Sequence, residues 1–249
     1  MEEYYMTWGS FGVVHMVTLV LALIINVALY FVVKHLNEKW QTLVLGILSF
    51  SGIVALIFDL ALWGSPIEYL PFHLCSINAL LLPISVLTKN KVLGNLHLLW
   101  TLGAVFALIL NHGVAEYVIP SPAFFIYYIP HVLECGIPLI MFKLGRVKLD
   151  ARCIISTVMI TITAYTAIHF INLGLNAYCI ANNVVDYAGE LIQLNYMFSL
   201  APNNPMLALF YQIIPYQYWY MYLIIPVVVV YLGAIYGTHA FLHRRKASR

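Results

Sequence analysis

Residues 11–34 read FGVVHMVTLVLALIINVALYFVVK, a run whose only full charge is Lys34 at its last position. As a helix it would reach about 36 Å, enough to cross the roughly 30 Å hydrocarbon layer of a bilayer. The residues before it, MEEYYMTWGS, are acidic, and the run is too long for the core of a signal peptide. A retained first span is the expectation. Similar runs follow at roughly 40–63, 71–88, 95–115, 122–142, 152–175 and 219–242. The predicted fold class is therefore all-α: a polytopic membrane helical bundle of about seven transmembrane helices, with residues 1–249 forming one transmembrane domain.

Composition agrees. Of 249 residues, 63% are hydrophobic and 9% charged, with mean hydropathy +0.89. A soluble domain carries roughly a quarter charged residues, so lipid is the expected solvent. A net charge of +2 argues against a nucleic-acid partner. The four cysteines, at 75, 135, 153 and 179, show no CxxC and no paired spacing, which argues against a disulfide framework.

The basic residues are Lys34, Lys39, Lys89, Lys91, Lys143, Arg146, Lys148, Arg152, Arg244, Arg245, Lys246 and Arg249. All fall in the first, third or fifth connection or the C-terminal tail. The other connections carry Glu68, Glu116, Asp186 and Glu190. This alternation predicts an external N-terminus and a cytoplasmic C-terminus. Residues 176–218 form the one long connection, interrupted by Pro202, Pro205 and Pro215 and rich in Tyr. It is expected to be an external cap with short helices on the membrane or over the bundle.

Polar residues within spans are expensive and mark candidate sites. Asp59, His73, Cys75, Asn78, Asn111, His112, His131, Glu134, Cys135, His169 and Asn172 qualify. On the predicted topology most lie in the external half, whereas His97 and His35 fall toward the cytoplasmic edge. A polar cavity opening to the external leaflet is the expectation. Against this stands the plainer role of an interhelical strut, the default for His169, Asn172, Asn78 and His112.

Within Leu70-Pro71-Phe72-His73-Leu74-Cys75-Ser76-Ile77-Asn78, Pro71 suits a first helical turn, which places Cys75 near a helix N-terminus, where a thiolate is favoured. His73, two residues away, points elsewhere and is expected to pair with Asp59. The better base is His131, with Glu134 on the same face to orient its ring. Nucleophile, base and carboxylate make a covalent-catalysis set, provided spans three and five are neighbours.

The LPFHLCSIN stretch (70–78), the histidine in span five and Asn195-Tyr196-Met197-Phe198 before the last span together resemble the YwaF-type bacterial seven-span family. That family is distantly similar to eukaryotic Cys-dependent transmembrane phospholipid acyltransferases, and more remotely to the androgen-induced intramembrane hydrolases, which use Thr and His. The resemblance implies Cys75 as nucleophile and His131 as base, with Asn195 and Tyr196 in a supporting motif. It also implies a phospholipid or other acyl lipid as partner and, for a bacterial family, the cytoplasmic membrane.

Acyl transfer or lipid hydrolysis at a Cys–His site is thus the leading expectation. A small-solute carrier is the second. A metal-dependent hydrolase is the third, through His73, His112, His131 and Asp59; the HxxxH pair His239 and His243 lies beside Arg244, Arg245 and Lys246, where a dication is disfavoured, and reads as interfacial. No phosphate-binding glycine loop, GxSxG or dinucleotide fingerprint is present, so no cofactor is expected. Protein partners are not readable.

Overall fold

The computed structural model describes residues 6–62, 65–111, 113–186 and 188–247, with the side chains of Leu62 and 242–247 set aside. The chain folds into helices α1 (Val13–Lys34), α2 (Glu38–Ser49), α3 (Ser51–Leu62), α4 (Leu74–Thr88), α5 (Lys91–Leu110), α6 (Pro122–Lys143), α7 (Cys153–Ala181), α8 (Pro205–Ile213) and α9 (Ile225–Ala247). A two-residue antiparallel pair joins β1 (Met6–Thr7) to β2 (Val118–Ile119).

Local chemistry sets the ends. Asn37, Asn90, Ser121 and Asn204 each accept a backbone N–H of the following first turn, and Pro122 and Pro205 occupy first helical positions, where no N–H is needed. Pro83, Pro130 and Pro138 lie inside helices, tolerated where neighbouring helices surround them.

Six helical stretches are long and apolar enough to cross a membrane: Val13–Lys34, Glu38–Ala61, Lys91–Leu110, Pro122–Lys143, Cys153–Ala181 and Trp219–Phe241. One of the seven expected spans falls short of that length. The third predicted span, 71–88, is a 15-residue helix, Leu74–Thr88, only about 22 Å long. Pro71 does not start it; His73 is the extended N-cap, and Leu70 and Phe72 are spent packing beneath the cap. Span two is also interrupted, at Phe50, so that α2 and α3 are separate helices in one stretch. Trp63, its expected last residue, lies outside the described residues.

Helices α5 and α6 are the centre, with α6 touching α1, α2, α3 and α4 as well. Apolar side chains of α1, α2, α7 and α9 face outward, as a lipid-facing surface requires: Val13 is 81% exposed and Val230 73%. Asparagines hold the layers together. Asn26 of α1 donates to the Val132 carbonyl of α6 at 2.9 Å and packs on Gly136, where an added Cβ would stand 1.6 Å from its Oδ1. Asn95 of α5 donates to the Lys148 carbonyl and accepts from the Asp150 N–H and the Tyr236 hydroxyl of α9.

The basic connections lie together at one end. Glu38 pairs with Lys89 and Arg146, and Asp150 with Lys91 and Arg152. At the other end the N-terminal segment hooks back over the bundle. Trp8 is fully buried, donates its indole N–H to Thr18 at 2.7 Å, and packs on Phe124, Tyr127 and Tyr128. His15 accepts from the Phe11 N–H and donates to the Leu108 carbonyl, which ties the hook to α5.

The cap is shorter than 176–218, because α7 runs on to Ala181. Two asparagines one turn apart on α7 grip it. Asn176 exchanges both hydrogen bonds with the Leu194 backbone and Asn172 does the same with Tyr196, each side chain acting as one rung of a ladder. The expected short helix is α8, with Leu209 and Ile213 exposed on it.

Two outcomes follow. Gly136→Ala must expel the Asn26 side chain, and should cost about 1–3 kcal/mol, read as a lower midpoint for thermal unfolding in detergent. Hydrogen bonds from Arg152 and Lys91 hold the Asp150 carboxyl well below the usual carboxylate range. A depressed folded-state pKa contributes stability above the ordinary value, near pH 4, that is lost as pH falls below it. Asp150→Asn should therefore lower the melting temperature at pH 7 and make little difference near pH 2.

Candidate functional site

Cys75 is the second residue of α4, behind an N-cap, His73, whose side chain makes no capping bond. The first-turn N–H groups therefore remain available. The Cys75 thiol faces its own N–H, the Ser76 N–H and the Ser76 hydroxyl. It is partly exposed, as is Cys135, whereas Cys153 and Cys179 are buried. His73 does not pair with Asp59, contrary to expectation. Its Nδ1 accepts from the Met197 N–H at 3.3 Å, and its ring lies against Tyr196 and Phe198. The cap takes His73 because the chain before α4 is extended rather than helical. Asp59, on α3, instead lies within electrostatic range of Cys75 and Tyr117.

On α6, Tyr127, His131 and Glu134 follow one another at helical spacing along one face. His131 Nδ1 sits 2.7 Å from the Tyr127 carbonyl, and its ring stacks on the Tyr127 ring with centroids 4.3 Å apart. A carbonyl only accepts, so Nδ1 carries the proton and Nε2 is the basic nitrogen of the neutral ring. Glu134 was expected to orient this ring. The Tyr127 carbonyl and ring do so, and Glu134 is engaged elsewhere: its Oε2 accepts from the Asn78 amide at 3.0 Å. Tyr127 is itself fixed by a hydroxyl bond to the Ala107 carbonyl and by Trp8 of the hook.

Helices α4 and α6 are neighbours, joined by that Asn78–Glu134 bond. Cys75 lies within electrostatic range of both Tyr127 and Glu134, the residues that flank His131 along the stripe. Cys75 and His131 thus lie on neighbouring helices.

The expected single polar cavity is not what the buried polar groups form. They satisfy one another in three clusters. At the hook, Asn111 donates to the Gly9 carbonyl and accepts from Ser10. Beneath the cap, Asn172 and His169 meet Ser199, the Tyr196 hydroxyl reaches the Ile67 carbonyl, and Asn195 folds its own loop through the N–H of Leu200 and the carbonyl of Ala201. At the centre, Asn78 joins Glu134 to His97, whose Nδ1 lies 2.6 Å from the Asn78 oxygen. Low dielectric makes an unpaired polar group costly, so such groups seek partners rather than line open space. His97, expected near the cytoplasmic edge, belongs to this central cluster and is 1% exposed. The signal for it was a lone imidazole in a largely apolar helix whose residues 94–101 are all buried.

Open space lies elsewhere. A cavity of about 470 Å³ is bounded by Ser65, Pro66 and Ile67 on one side and Tyr178, Val184 and Asp186 on the other. One of about 420 Å³ runs along the outer face of α1 from Phe11 to Leu21. His112 lies outside the described residues, as does the side chain of His243. Among the described residues, no three His, Cys, Asp or Glu side chains gather to hold a metal.

With this geometry in view, comparison with known proteins is specific on one point. Residues 10–236 match the model of the TMEM164 family, and the chain belongs to that family. This corrects the resemblance to the YwaF-type bacterial family, whose motifs are short; the bacterial cytoplasmic membrane loses its support with it. No curated protein and no solved structure matches.

The cap's grip is testable. Asn172→Leu together with Asn176→Leu removes both rungs and should release the 182–204 segment to limited proteolysis in membranes, while the helices stay protected. Equal protection of wild type and double variant would show that apolar packing alone holds the cap.

Proposed function

We propose that this TMEM164-family membrane protein is an enzyme that moves fatty-acyl groups between lipids, or from lipid to water, with Cys75 as nucleophile and His131 as general base. The observation that supports this reading is a Cys75 thiol at an uncapped helix start on α4, the neighbour of the helix on which His131 turns Nδ1 to the Tyr127 carbonyl. His131 Nε2 takes the thiol proton, and the sulfur attacks the ester carbonyl of an acyl lipid. The N–H groups of Cys75 and Ser76 are placed to receive negative charge. His131 returns its proton to the departing alkoxide, leaving a thioester. An alcohol, lysolipid or water, deprotonated by the same nitrogen, then takes the acyl group and frees the thiol.

The surroundings suit such a substrate. Apolar helix faces adjoin the site, and the partner would be a phospholipid or other acyl lipid in the membrane. The alternation of basic and acidic connections supports seven crossings with the cap and hook external, α4 making the short one. On that orientation the site serves the outer leaflet of the cell membrane. The carrier alternative draws on one observation, the break in span two at Phe50, a form common in transporters.

The purified protein would be treated with a lipid-like chloroacetamide. Labelling should disappear in Cys75→Ala, fall by about 10²-fold or more in His131→Ala, and persist in Cys135→Ala. Equal labelling of all variants, or labelling that follows Cys135, overturns the Cys–His mechanism and brings the carrier forward. For orientation, a membrane-impermeant maleimide should label Lys148→Cys in inverted vesicles and leave it untouched in sealed right-side-out ones.

A further inference from the structure

We propose that His97 is a positioning residue for the Cys75–His131 site: through Asn78 it aims the Glu134 carboxylate at His131, which strengthens the base. The inference rests on the enzymatic reading above. Its foundation is a chain of three buried side chains from three helices. Glu134 of α6 is 4% exposed, Asn78 of α4 1%, and His97 of α5 1%.

The chemistry of the middle residue sets the direction of the chain. Asn78 has one carbonyl and one NH2 group. Its NH2 donates to Glu134 Oε2 at 3.0 Å, so its oxygen must be the acceptor toward His97, whose Nδ1 therefore carries a proton, 2.6 Å away. Donation at one end of an amide strengthens donation at the other. Without His97 the amide oxygen loses its donor, and Asn78 is freer to turn away from Glu134. The backbone holds the pair in place: the Thr101 hydroxyl donates to the His97 carbonyl at 2.8 Å and lies 3.4 Å from the Glu134 carbonyl. Gly52 of α3 presses from the other side, where an added Cβ would lie 3.6 Å from Glu134 Oε1.

The second observation is what His97 leaves over. Its Nε2 is buried and makes no hydrogen bond. A histidine kept only as a strut is better replaced by a side chain with nothing left unpaired, since such an atom is costly. The imidazole is therefore held for its Nδ1–H.

Glu134 lies within electrostatic range of Cys75 from α4 and of His131 and Cys135 along its own helix, with Gly52 of α3 nearby. Asp59 of α3 and Tyr127 of α6 bear on Cys75 itself. His97 meets Asn78 and Leu81 of α4 and its own Trp100. When His131 Nε2 takes the Cys75 proton, the new imidazolium lies within electrostatic range of Glu134, the aligned carboxylate. A positive charge formed there is stabilised without a direct bond between the two.

The test uses the full chain in lipid nanodiscs and two readouts. The first is the pH profile of Cys75 alkylation by the chloroacetamide probe. His97→Phe should react about tenfold more slowly, with its midpoint moved by about one pH unit. His97→Asn restores a donor at the Nδ1 position and should stay close to wild type. The double variant His97→Phe, Glu134→Gln should be no slower than Glu134→Gln alone, because His97 acts through Glu134. The second readout is the infrared carboxyl band of Glu134, identified by its loss in Glu134→Gln. It should shift in His97→Phe and hold its place in His97→Asn. Should His97→Phe fail to fold, His97→Gln, whose amide reaches past the Nδ1 position, takes its place.

An unmoved carboxyl band, a wild-type profile in His97→Phe, or additive losses in the double variant each overturn the proposal. If alkylation ignores His131 altogether, the enzymatic reading fails. The infrared band still reports on the chain of bonds in that case.

Discussion

A buried amide between a carboxylate and an imidazole has a single arrangement that satisfies all three, and the bundle is built around one. Asn78 supplies that amide, and to reach both partners it needs α4, α5 and α6 at fixed separations. The small contacts nearby follow from the same need: Gly52 lies against Ala79, and Gly103 against Leu74. In a low-dielectric interior a mispaired group costs more than most packing defects, so polar bonds fix register where apolar faces alone would slide. Asn26, Asn95, Asn172 and Asn176 repeat the device at the periphery, each spending its amide on another segment's backbone.

The two ends of the bundle are organised differently. At the basic end, exposed ion pairs around Glu38 and Asp150 set the connections, with Asn95 beneath them. At the other end, hook and cap approach the central helices from opposite sides. The hook reaches His131 through Trp8 and Tyr127; the cap reaches the start of α4 through Tyr196 and His73. The residues on either side of the candidate chemistry are thus positioned by segments outside the helices that carry them.

How much of this the residues announce depends on what each signal measures. Hydropathy measures transfer to lipid, and it located the helices well. It failed at 71–88, where the apolar residues Leu70 and Phe72 are buried under a cap instead of being wound into a helix. Charge alternation placed the basic residues together at one end. Cys75 and His131 could be proposed from residue type and helix position, and that their helices are neighbours is visible only in the fold. Partner choice was not legible. His73 goes to the cap and Glu134 to Asn78, because hydrogen bonding between helices depends on rotation about each axis, which a single chain's pattern does not specify. His97 was assigned to the cytoplasmic edge for the same reason.

The shortness of α4 has a consequence for the lipid around it. Leu80, Ile84 and Leu87 are exposed on this helix, so acyl chains meet it directly. A helix of about 22 Å beside hydrocarbon about 30 Å thick is a hydrophobic mismatch of about 8 Å. Bilayers relieve such a deficit by thinning, which draws headgroups inward at that spot. Cys75 stands at one end of the helix that imposes the deficit. On the proposed acyl chemistry, that thinning would bring the ester bonds of nearby lipids down toward the sulfur with no need to lift a lipid out of the membrane.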